Sequence, residues 1–273
     1  MRFDLKKYQK SWRSINQERE ILAIDLPKPI SLSVFDSLPS SNTQLWQLLD
    51  SGAEFPLGAI ALQQTAGKGQ WGHTWVSNAG GLYLSVGLNL DLAMDHYPHL
   101  VMATVWGIAT MLRQQQLPIT IKWFNDLILE HRKLGGIKIE TRNQNDRLSK
   151  AVVGVGINWR NNVPQTGINL QSYYQSANIT GINSLEELTA IAASGILLGY
   201  RYYLAVGIDK LLSKYLEILG SLGKQVDLNG CLGEAVGVTT AGKLRVKLRS
   251  PGATTEIALS PGQISLGYIA VQD

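Results

Sequence analysis

A glycine-rich loop between two apolar segments limits the possible folds of this chain more than any other feature. The flanking segments, 56–62 and 81–88, are short and apolar, which predicts two buried strands. Residues 67–72 contain three glycines and Lys68. Glycine at this density disfavours helix, but it lets backbone N–H groups approach an anion, and Lys68 adds positive charge. No helix is predicted after the loop, so it differs from the phosphate loop of nucleotide hydrolases and from the dinucleotide-binding motif. Taken alone, it is equally compatible with a mobile connection between strands.

The segments up to residue 160 predict a sheet crossed by helices. Patterns typical of strands occur at 30–35, 119–123, 127–129, 136–140 and 151–158. Polar turns at 131–135 and 142–150 would connect the last three strands as two hairpins. Apolar residues follow helical spacing at 43–49 and at 99–116, just before Pro118. One long helix laid across hairpin-connected strands indicates an α+β fold with a mixed or antiparallel sheet.

The C-terminal third predicts a long helix and then a small β-domain. Ser184-Leu185-Glu186-Glu187 is a capping box, and the helical segment that it opens reaches about Leu219 with an interruption near Gly207. Short β-rich segments follow at 236–240, 244–248, 257–260 and 264–268. Turns at that spacing predict a small barrel. We therefore expect an N-terminal extension (1–30), a central domain (31–221) and a C-terminal domain (222–273).

Net charge, cysteine content and the N-terminal segment exclude several classes of protein. The net charge of +4 suits a polyphosphate ligand or an acidic protein partner, and no dense Lys/Arg stripe indicates nucleic acid. Cys231 is the only cysteine, which excludes an intrachain disulfide and favours the reducing cytoplasm. The four histidines lack metal-ligand spacing, so we expect no protein metal site. We find no signal peptide and no apolar run of about 20 residues, so we expect no membrane span.

Four polar clusters lie at predicted strand ends and turns, where a sheet forms pockets along one rim. They are Ser40-Ser41-Asn42, 64–70, Asn125-Asp126 and Arg132-Lys133. Lysines beside a glycine loop suit the phosphates of a nucleoside triphosphate. Serine, asparagine and glutamine suit a neutral polar ligand such as a ureido ring or an ester. The clusters together predict a pocket with one cationic and one neutral end.

The ordered motifs also resemble those of a known family. The motifs are Ser40-Ser41-Asn42, Gln64-Thr65-Ala66-Gly67-Lys68-Gly69-Gln70-Trp71-Gly72-His73-Thr74-Trp75, Lys122-Trp123-Phe124-Asn125-Asp126, Arg132-Lys133-Leu134-Gly135-Gly136 and Gly154-Val155-Gly156-Ile157-Asn158. Taken in this order over roughly residues 30–160, they resemble biotin protein ligase. The resemblance implies a class II synthetase-like catalytic domain at 31–221 and an SH3-like barrel at 222–273.

The resemblance implies a two-step reaction with ATP and Mg²⁺, biotin as substrate and no tightly bound prosthetic group. The biotin carboxylate would attack the α-phosphate of ATP, giving biotinyl-5′-AMP and pyrophosphate. A lysine of the biotin carboxyl carrier protein of acetyl-CoA carboxylase would then attack the mixed anhydride and release AMP. We expect a monomer or a homodimer. We expect no DNA binding, because the segment 1–30 is too short for a winged helix-turn-helix domain.

The resemblance also implies a role for each motif residue. Lys133 would bridge the biotin carboxylate and the phosphate, Asp126 would orient or deprotonate the incoming lysine, and Lys68 would act on the adenylate. The residues implied for biotin are Ser40, Ser41, Asn42, Gln64, Ser85, Lys133 and Gly136. Those implied for the nucleotide are Lys68, Gly69, Gln70, Trp75, Asn125 and Asn158.

The glycine loop departs from the family pattern, which is commonly Gly-Arg-Gly-Arg-Arg-Gly-Arg. Lys68 keeps a positive charge, whereas Gln70 and Trp71 do not. We expect the adenylate to be held less tightly than by relatives with arginine at these positions. Phe124 stands where the family usually has proline, which we expect to alter only local packing. Two other functions stay open: a lipoate or octanoyl transferase of related fold, and a non-catalytic biotin or nucleotide sensor.

Overall fold

A seven-stranded sheet with helices on both faces forms the larger part of the protein. The computed structural model describes residues 2–17, 28–228, 230–250, 253–264 and 266. In chain order the strands are β1 (Ser31–Phe35), β2 (Leu57–Ala61), β3 (Leu82–Ala93), β4 (Thr120–Lys122), β5 (Asp126–Leu129), β6 (Arg132–Gln144) and β7 (Arg147–Ile157). They lie in the order β1-β2-β3-β7-β6-β5-β4. Only the β1–β2 pair is parallel, so the predicted α+β class with a mixed sheet is confirmed.

Five α-helices accompany the sheet over the described residues. They are α1 (Leu5–Gln17), α2 (Ser41–Asp50), α3 (Tyr97–Arg113), α4 (Leu170–Ala177) and α5 (Leu185–Glu217). Helices α1, α3 and α5 contribute to the main core, whereas α2 covers a smaller cluster built around Leu45 and Val152. The predicted helices at 43–49 and 99–116 correspond to α2 and α3. Helix α4 was not predicted.

The two faces of the sheet differ in the size of their side chains. Alternate residues of β3 and β7, among them Leu84 and Val155, belong to the main core. Their neighbours Ser85, Gly154 and Gly156 therefore point to the other face, because side chains alternate along a strand. Small residues leave space above the sheet on that face. The same face carries α2 and the ligand-binding cleft described below.

Helices α3 and α5 cross at a contact that depends on glycine. A Cβ added to Gly199 would overlap the carbonyl oxygen of Ala103, and one added to Gly107 would overlap that of Gly195. The two backbones therefore approach more closely than any larger residue permits. This contact holds α5 against α3, and both helices cover the core side of the sheet.

The N-terminal helix α1 packs into the main core. The side chains of Tyr8 and Trp12 are 1% and 2% exposed. The backbone N–H of Asp4 donates to the carboxylate of Glu186 at 2.9 Å, which ties the start of α1 to α5. Residues 5–17 of the expected N-terminal extension thus form a helix of the main core, while the proposed boundaries of three domains stay a prediction.

Helix α5 has the length and composition of a membrane span. Its most apolar window is 61% buried inside the protein, as expected for the core helix of a soluble fold. Gly207 interrupts it with φ 78° and ψ 179°, in agreement with the predicted break. Its apolar side chains are explained by packing against α3 and the sheet.

A four-stranded antiparallel sheet follows α5 and fits the predicted SH3-like domain. Its strands are β8 (Gln225–Leu228), β9 (Cys231–Val238), β10 (Leu244–Ser250) and β11 (Ala253–Leu259), in the order β11-β10-β9-β8. Strand β8 and the first half of β9 were not predicted. The strand predicted at 264–268 lies largely outside the described residues. Trp123 Nε1 donates to the carbonyl oxygen of Gly242 at 3.0 Å, which joins this domain to the larger sheet.

Both predicted hairpin turns were too long. The turn between β5 and β6 is Glu130-His131, and the turn between β6 and β7 is Asn145-Asp146; all four residues have positive φ. Two-residue turns of this kind match the twist of the strands they join. Lys133 therefore lies on a strand, whereas the sequence analysis had put it in a turn. The error arose because exposed polar residues on strand ends resemble turn residues.

The close helix crossing yields a stability prediction. We expect Gly199→Ala to lower the free energy of unfolding by about 2 kcal/mol, since an overpacked core forces backbone shifts. Chemical denaturation of purified protein measures the change. Leu204→Ala, at a side chain that is 55% exposed on the same helix, serves as the control and should cost far less. Equal stability of the Gly199→Ala protein and the parent would contradict the close-contact assignment.

Candidate ligand-binding cleft

A cleft of about 530 Å³ opens on the small-residue face of the sheet. The glycine-rich loop lies on one side, and the segment 261–263 of the C-terminal domain also lines it. Twelve of the fourteen predicted site residues line this cleft: Ser40, Ser41, Asn42, Gln64, Lys68, Gly69, Gln70, Trp75, Asn125, Asp126, Lys133 and Gly136. Residues from six segments of the chain thus meet in one place.

The pairing of four strands places residues of the cationic end of the cleft in one row across the sheet. Lys122 of β4 is paired with Asp126 of β5, Asp126 with Gly136 of β6, and Gly136 with Gly156 of β7. Directly paired residues point to the same face of a sheet. The charged side chains of Lys122 and Asp126 therefore lie at one end of this row. Gly136 and Gly156, which have no side chains, leave open space at the other end.

A second row runs from the cationic end at Lys138 to the floor of the neutral end at Gly154 and Ser85. Lys138 of β6 is paired with Gly154 of β7, and Gly154 with Ser85 of β3. A Cβ on Gly154 would overlap the side-chain amide of Asn42, and one on Gly156 would overlap the indole of Trp75. Both glycines are thus required for the close approach of cleft side chains to the sheet.

A buried hydrogen-bond network organises the neutral end at the start of α2. Gln64 Oε1 accepts from the backbone N–H of Ser41 at 2.8 Å and from its hydroxyl at 3.1 Å. Gln64 Nε2 donates to Ser77 Oγ at 2.8 Å. The hydroxyl of Ser85 lies 2.8 Å from Ser41 Oγ and 2.6 Å from Asn42 Oδ1. Gln64 therefore satisfies an N–H at the helix N-terminus that would otherwise lack a partner. Ser40 occupies the N-cap position without a side-chain capping bond.

The glycine-rich loop is folded back on itself. The backbone N–H of Gly69 donates to the carbonyl of His73 at 2.6 Å, and that of Trp75 donates to Gly67 at 2.9 Å. A single turn of 3₁₀ helix, Gln70–Gly72, forms its tip. The loop is thus a short hairpin beside the cleft rather than an open connection.

The loop tip contacts both the sheet and the C-terminal domain. Gln70 Nε2 donates to the carbonyl of Ile137 at 3.2 Å, and Asn125 Nδ2 donates to the same oxygen at 2.8 Å. The indole of Trp71 packs against Gly262, where an added Cβ would meet the ring at 3.2 Å. Gln70 is therefore held by an uncharged hydrogen bond. The family that the motifs resemble commonly has a charged arginine at this position.

The cationic end is dominated by lysine. Lys68, Lys122, Lys133 and Lys138 line the cleft, and Asp126 is the one carboxylate among its described lining residues. Lys133 Nζ lies 2.8 Å from Asp126 Oδ1 and 5.2 Å from the centroid of the Trp75 ring. The excess of positive charge attracts anionic ligands, since water is partly excluded from the cleft.

Lys122 has the most perturbed ionisation in the cleft. Burial lowers the pKa of Lys122 to about 8, with the positive charge of Lys133 acting in the same direction. The carboxylate of Asp126 acts in the opposite direction and raises this pKa. An anion bound beside Lys122 would stabilise its ammonium form for the same electrostatic reason.

Two predicted site residues do not line the cleft. Ser85 is fully buried beneath Ser41 and Asn42, so it supports the neutral end from below. Asn158 lies behind β6, where its Nδ2 donates to the carbonyl of Lys133 at 3.3 Å. Asn158 therefore helps to orient the strand that carries Lys133, and its expected place beside a nucleotide stays a prediction.

The sequence analysis missed several residues that the fold brings to the cleft. Lys122 belonged to a quoted motif but was given no role, and Lys138 was not singled out. Ser77 fixes the amide of Gln64 although nothing in its local sequence indicates this. The segment 261–263 reaches the cleft from the C-terminal domain, through a contact distant in sequence.

A family match covers the part of the chain that forms this cleft. The model of the biotin/lipoate A/B protein ligase family matches residues 34–158. The matched segment begins in β1 and ends just after β7. It therefore includes six of the seven strands of the sheet in full, the end of β1 and the glycine-rich loop.

Individual relatives resemble this chain at low identity. The bifunctional ligase/repressor BirA of Bacillus subtilis is 28% identical over 125 residues, or 45% of this chain and 38% of that protein. The biotin–protein ligase of Homo sapiens is 25% identical over 258 residues, or 89% of this chain and 34% of that protein. This chain thus spans less than two fifths of the length of these two relatives.

A solved structure shares the fold. The biotin protein ligase from Aquifex aeolicus, in complex with biotin and ATP, superimposes with a TM-score of 0.67 at 22% identity. The superposition covers 88% of this chain and 99% of the other. The similarity therefore extends beyond the family match into the C-terminal domain.

The electrostatics of the cleft yield a titration prediction. We expect Asp126→Asn to lower the pKa of Lys122 further below about 8, because a stabilising negative charge is lost. Lys133→Gln should raise the same pKa, because a repelling positive charge is lost. NMR titration of protein with ¹³C-labelled lysine side chains measures both values. Shifts in the same direction in both variants would contradict the arrangement.

Proposed function

We propose that this protein is an ATP-dependent biotin–protein ligase, because residues 34–158 match the model of the biotin/lipoate A/B protein ligase family. It activates biotin as biotinyl-5′-AMP and transfers the biotinyl group to a lysine of a biotin carboxyl carrier protein. The observation that carries the proposal is the division of one cleft into a neutral hydrogen-bonding end and a cationic end. That division matches a ureido ring at one end of the ligand and a carboxylate joined to phosphate at the other.

The neutral end suits the ureido ring of biotin. Ser41, Asn42 and Gln64 offer hydroxyl and amide groups that are already fixed by the network at the start of α2. Donors and acceptors that are already ordered bind a polar ring without the entropy cost of ordering them on binding. The dithiolane ring of lipoate has no N–H or C=O group to use this network, so the network favours biotin.

The cationic end suits the first half-reaction. A carboxylate oxygen of biotin attacks the α-phosphorus of ATP, and the bond to the bridging oxygen breaks to release pyrophosphate. Both reactants are anions, so the barrier falls when fixed positive charges lie beside them. Lys133 holds its ammonium group in the cleft through Asp126 and lies on a strand rather than on a mobile turn. Lys68, on the glycine-rich loop, supplies a second charge from the opposite side.

Asp126 suits the second half-reaction. The carrier lysine must approach the acyl carbon and lose a proton before AMP leaves. The side chain of Asp126 is 13% exposed and lies in the cleft, so its carboxylate attracts the incoming ammonium group and accepts its proton. The attack forms the C–N amide bond and breaks the bond between the acyl carbon and the phosphate oxygen.

Magnesium would enter with the nucleotide. The described residues contain no group of three or more His, Cys, Asp or Glu side chains that could hold a metal ion. Mg²⁺ commonly keeps several waters and binds mainly through substrate phosphates. When bound it would neutralise phosphate charge, while the lysines of the cleft bind and orient the same oxygens. The ATP bound by the similar Aquifex aeolicus ligase supports ATP as the nucleotide.

Intact-mass analysis tests the proposed function. Purified protein is incubated with biotin, ATP and Mg²⁺, with and without a biotin carrier domain. We expect a mass increase of one biotinyl group on the carrier, and a loss of at least a hundredfold in rate for Lys133→Gln. Lys210→Gln, the same change at an exposed lysine of α5, is the matched control and should retain the full rate.

Each other outcome of this assay contradicts part of the proposal. Free biotinyl-5′-AMP without carrier modification would mean that the acceptor is wrong. Transfer of lipoate in place of biotin would favour a lipoate or octanoyl transferase. Biotin binding without either product would favour the non-catalytic sensor. An unchanged rate for Lys133→Gln would exclude the electrostatic role given to that residue.

The neutral contact of Gln70 predicts loose retention of the intermediate. Gln70→Arg replaces an amide by a guanidinium, and a charge-assisted hydrogen bond to phosphate is worth about 1.5–3 kcal/mol. We expect biotinyl-5′-AMP to leave the variant about tenfold more slowly, as measured by stopped-flow displacement.

Gln70→Met is the control for side-chain length. It should not slow release, because it adds no charge and loses the bond to Ile137. Equal release rates for the parent and Gln70→Arg would show that position 70 does not reach the phosphate.

A further inference from the structure

A second cavity adjoins the cationic end of the cleft. It has a volume of about 210 Å³ and lies between β4, the β5–β6 turn and the start of the C-terminal domain. Lys122 and Leu266 line both this cavity and the main cleft, so the two spaces meet at these side chains. His131 and Lys224 line the cavity from its other sides.

The lining chemistry of this cavity suits a small, highly charged anion. It contains Lys122, His131 and Lys224, and no aspartate or glutamate occurs among the described residues that line it. The wall is held in place because Ser221 Oγ accepts the backbone N–H of Trp123 at 2.9 Å, just before the C-terminal domain begins. A small space lined by two lysines and a histidine, of which Lys224 and His131 are exposed, favours compact polyanions over a large nucleotide or a neutral ring.

We propose that this cavity is the subsite for the pyrophosphate leaving group, with Lys122, Lys224 and His131 as its ligands. The proposal rests on the function proposed above. Formation of the bond from the biotin carboxylate to the α-phosphorus breaks the α–β P–O bond, and the electron pair stays on the departing pyrophosphate. Lys122 stands at the boundary between the two spaces, so the leaving group moves past it from the cleft into the cavity.

Proton uptake by Lys122 distinguishes its proposed role in binding pyrophosphate from a purely structural role. Asp126 and Lys133 in the cleft act on the pKa of Lys122, and His131 and Lys224 line the cavity on its other sides. Burial lowers the pKa of Lys122 to about 8, so part of the protein carries a neutral amine at that pH. Pyrophosphate binds the ammonium form, and binding therefore draws a proton from solution. Affinity falls as the pH rises through about 8, the pKa of Lys122 in the unliganded protein.

Calorimetric titration of the full chain with inorganic pyrophosphate tests the subsite. We expect Lys224→Gln to weaken binding at pH 7 at least threefold, and Lys224→Glu to weaken it further. The matched control Lys210→Gln should bind like the parent. Titration at pH 8 in buffers of different ionisation enthalpy should show more proton uptake by the parent than by Lys122→Met, because the ionisation of pyrophosphate itself is common to both proteins. Melting temperatures of all variants verify that they are folded.

Several outcomes would overturn the subsite. Pyrophosphate affinity that is unchanged by Lys224→Gln, or proton exchange that is the same in the parent and in Lys122→Met, would exclude it. Equal affinity for inorganic phosphate and pyrophosphate would mean general anion attraction. The result is separable from the ligase proposal: a protein that biotinylates a carrier while Lys224 has no effect lacks this subsite. A protein that makes no adenylate but binds pyrophosphate through Lys224 has the subsite and another reaction.

Discussion

The hydrogen-bonded register of β5, β6 and β7 is the constraint on which the rest of the site depends. It sets Asp126 opposite Gly136 and Gly136 opposite Gly156, so charge and open space lie side by side on one face. A shift of one residue in the pairing of a strand would move its side chains to the opposite face of the sheet. The core side chains of β6 and β7 would then point into the cleft. The core packing of α3 and α5 on the opposite face opposes such a slip. The geometry of the cleft is therefore fixed by burial on the other side of the sheet.

Charge balance in the cleft follows from this geometry. One carboxylate, Asp126, is set among four lysines in the described lining, and its direct partner is Lys133. The ion pair orients Lys133, while the net positive charge stays available to a ligand. Lys122 contributes less charge near neutral to mildly basic pH because burial disfavours its ammonium form. Lys133 is thus oriented by its ion pair with Asp126, whereas Lys122 would gain a proton when the proposed anion binds.

Much of the fold and of the site could be predicted from the sequence because the relevant signals are local. Short apolar runs predicted β2 and β3, helical spacing of apolar residues predicted α3, and the capping box marked the start of α5. Dense glycine and ordered polar motifs predicted where a ligand would bind, and twelve of those residues do meet in one cleft. Hairpin turns were predicted less well, because exposed polar strand ends and two-residue turns share the same residue types.

The tertiary structure alone decided how these local elements combine. The sequence by itself determined the elements, the glycine loop and the candidate residues, since each depends on near neighbours in the chain. Pairing across strands decided that Lys122 shares a row with Asp126 and that Asn158 supports β6 from behind the cleft. Contacts between distant segments decided that Ser77 fixes Gln64 and that the C-terminal domain completes two cavities. Such contacts depend on burial and register over the whole sheet, which no local pattern specifies.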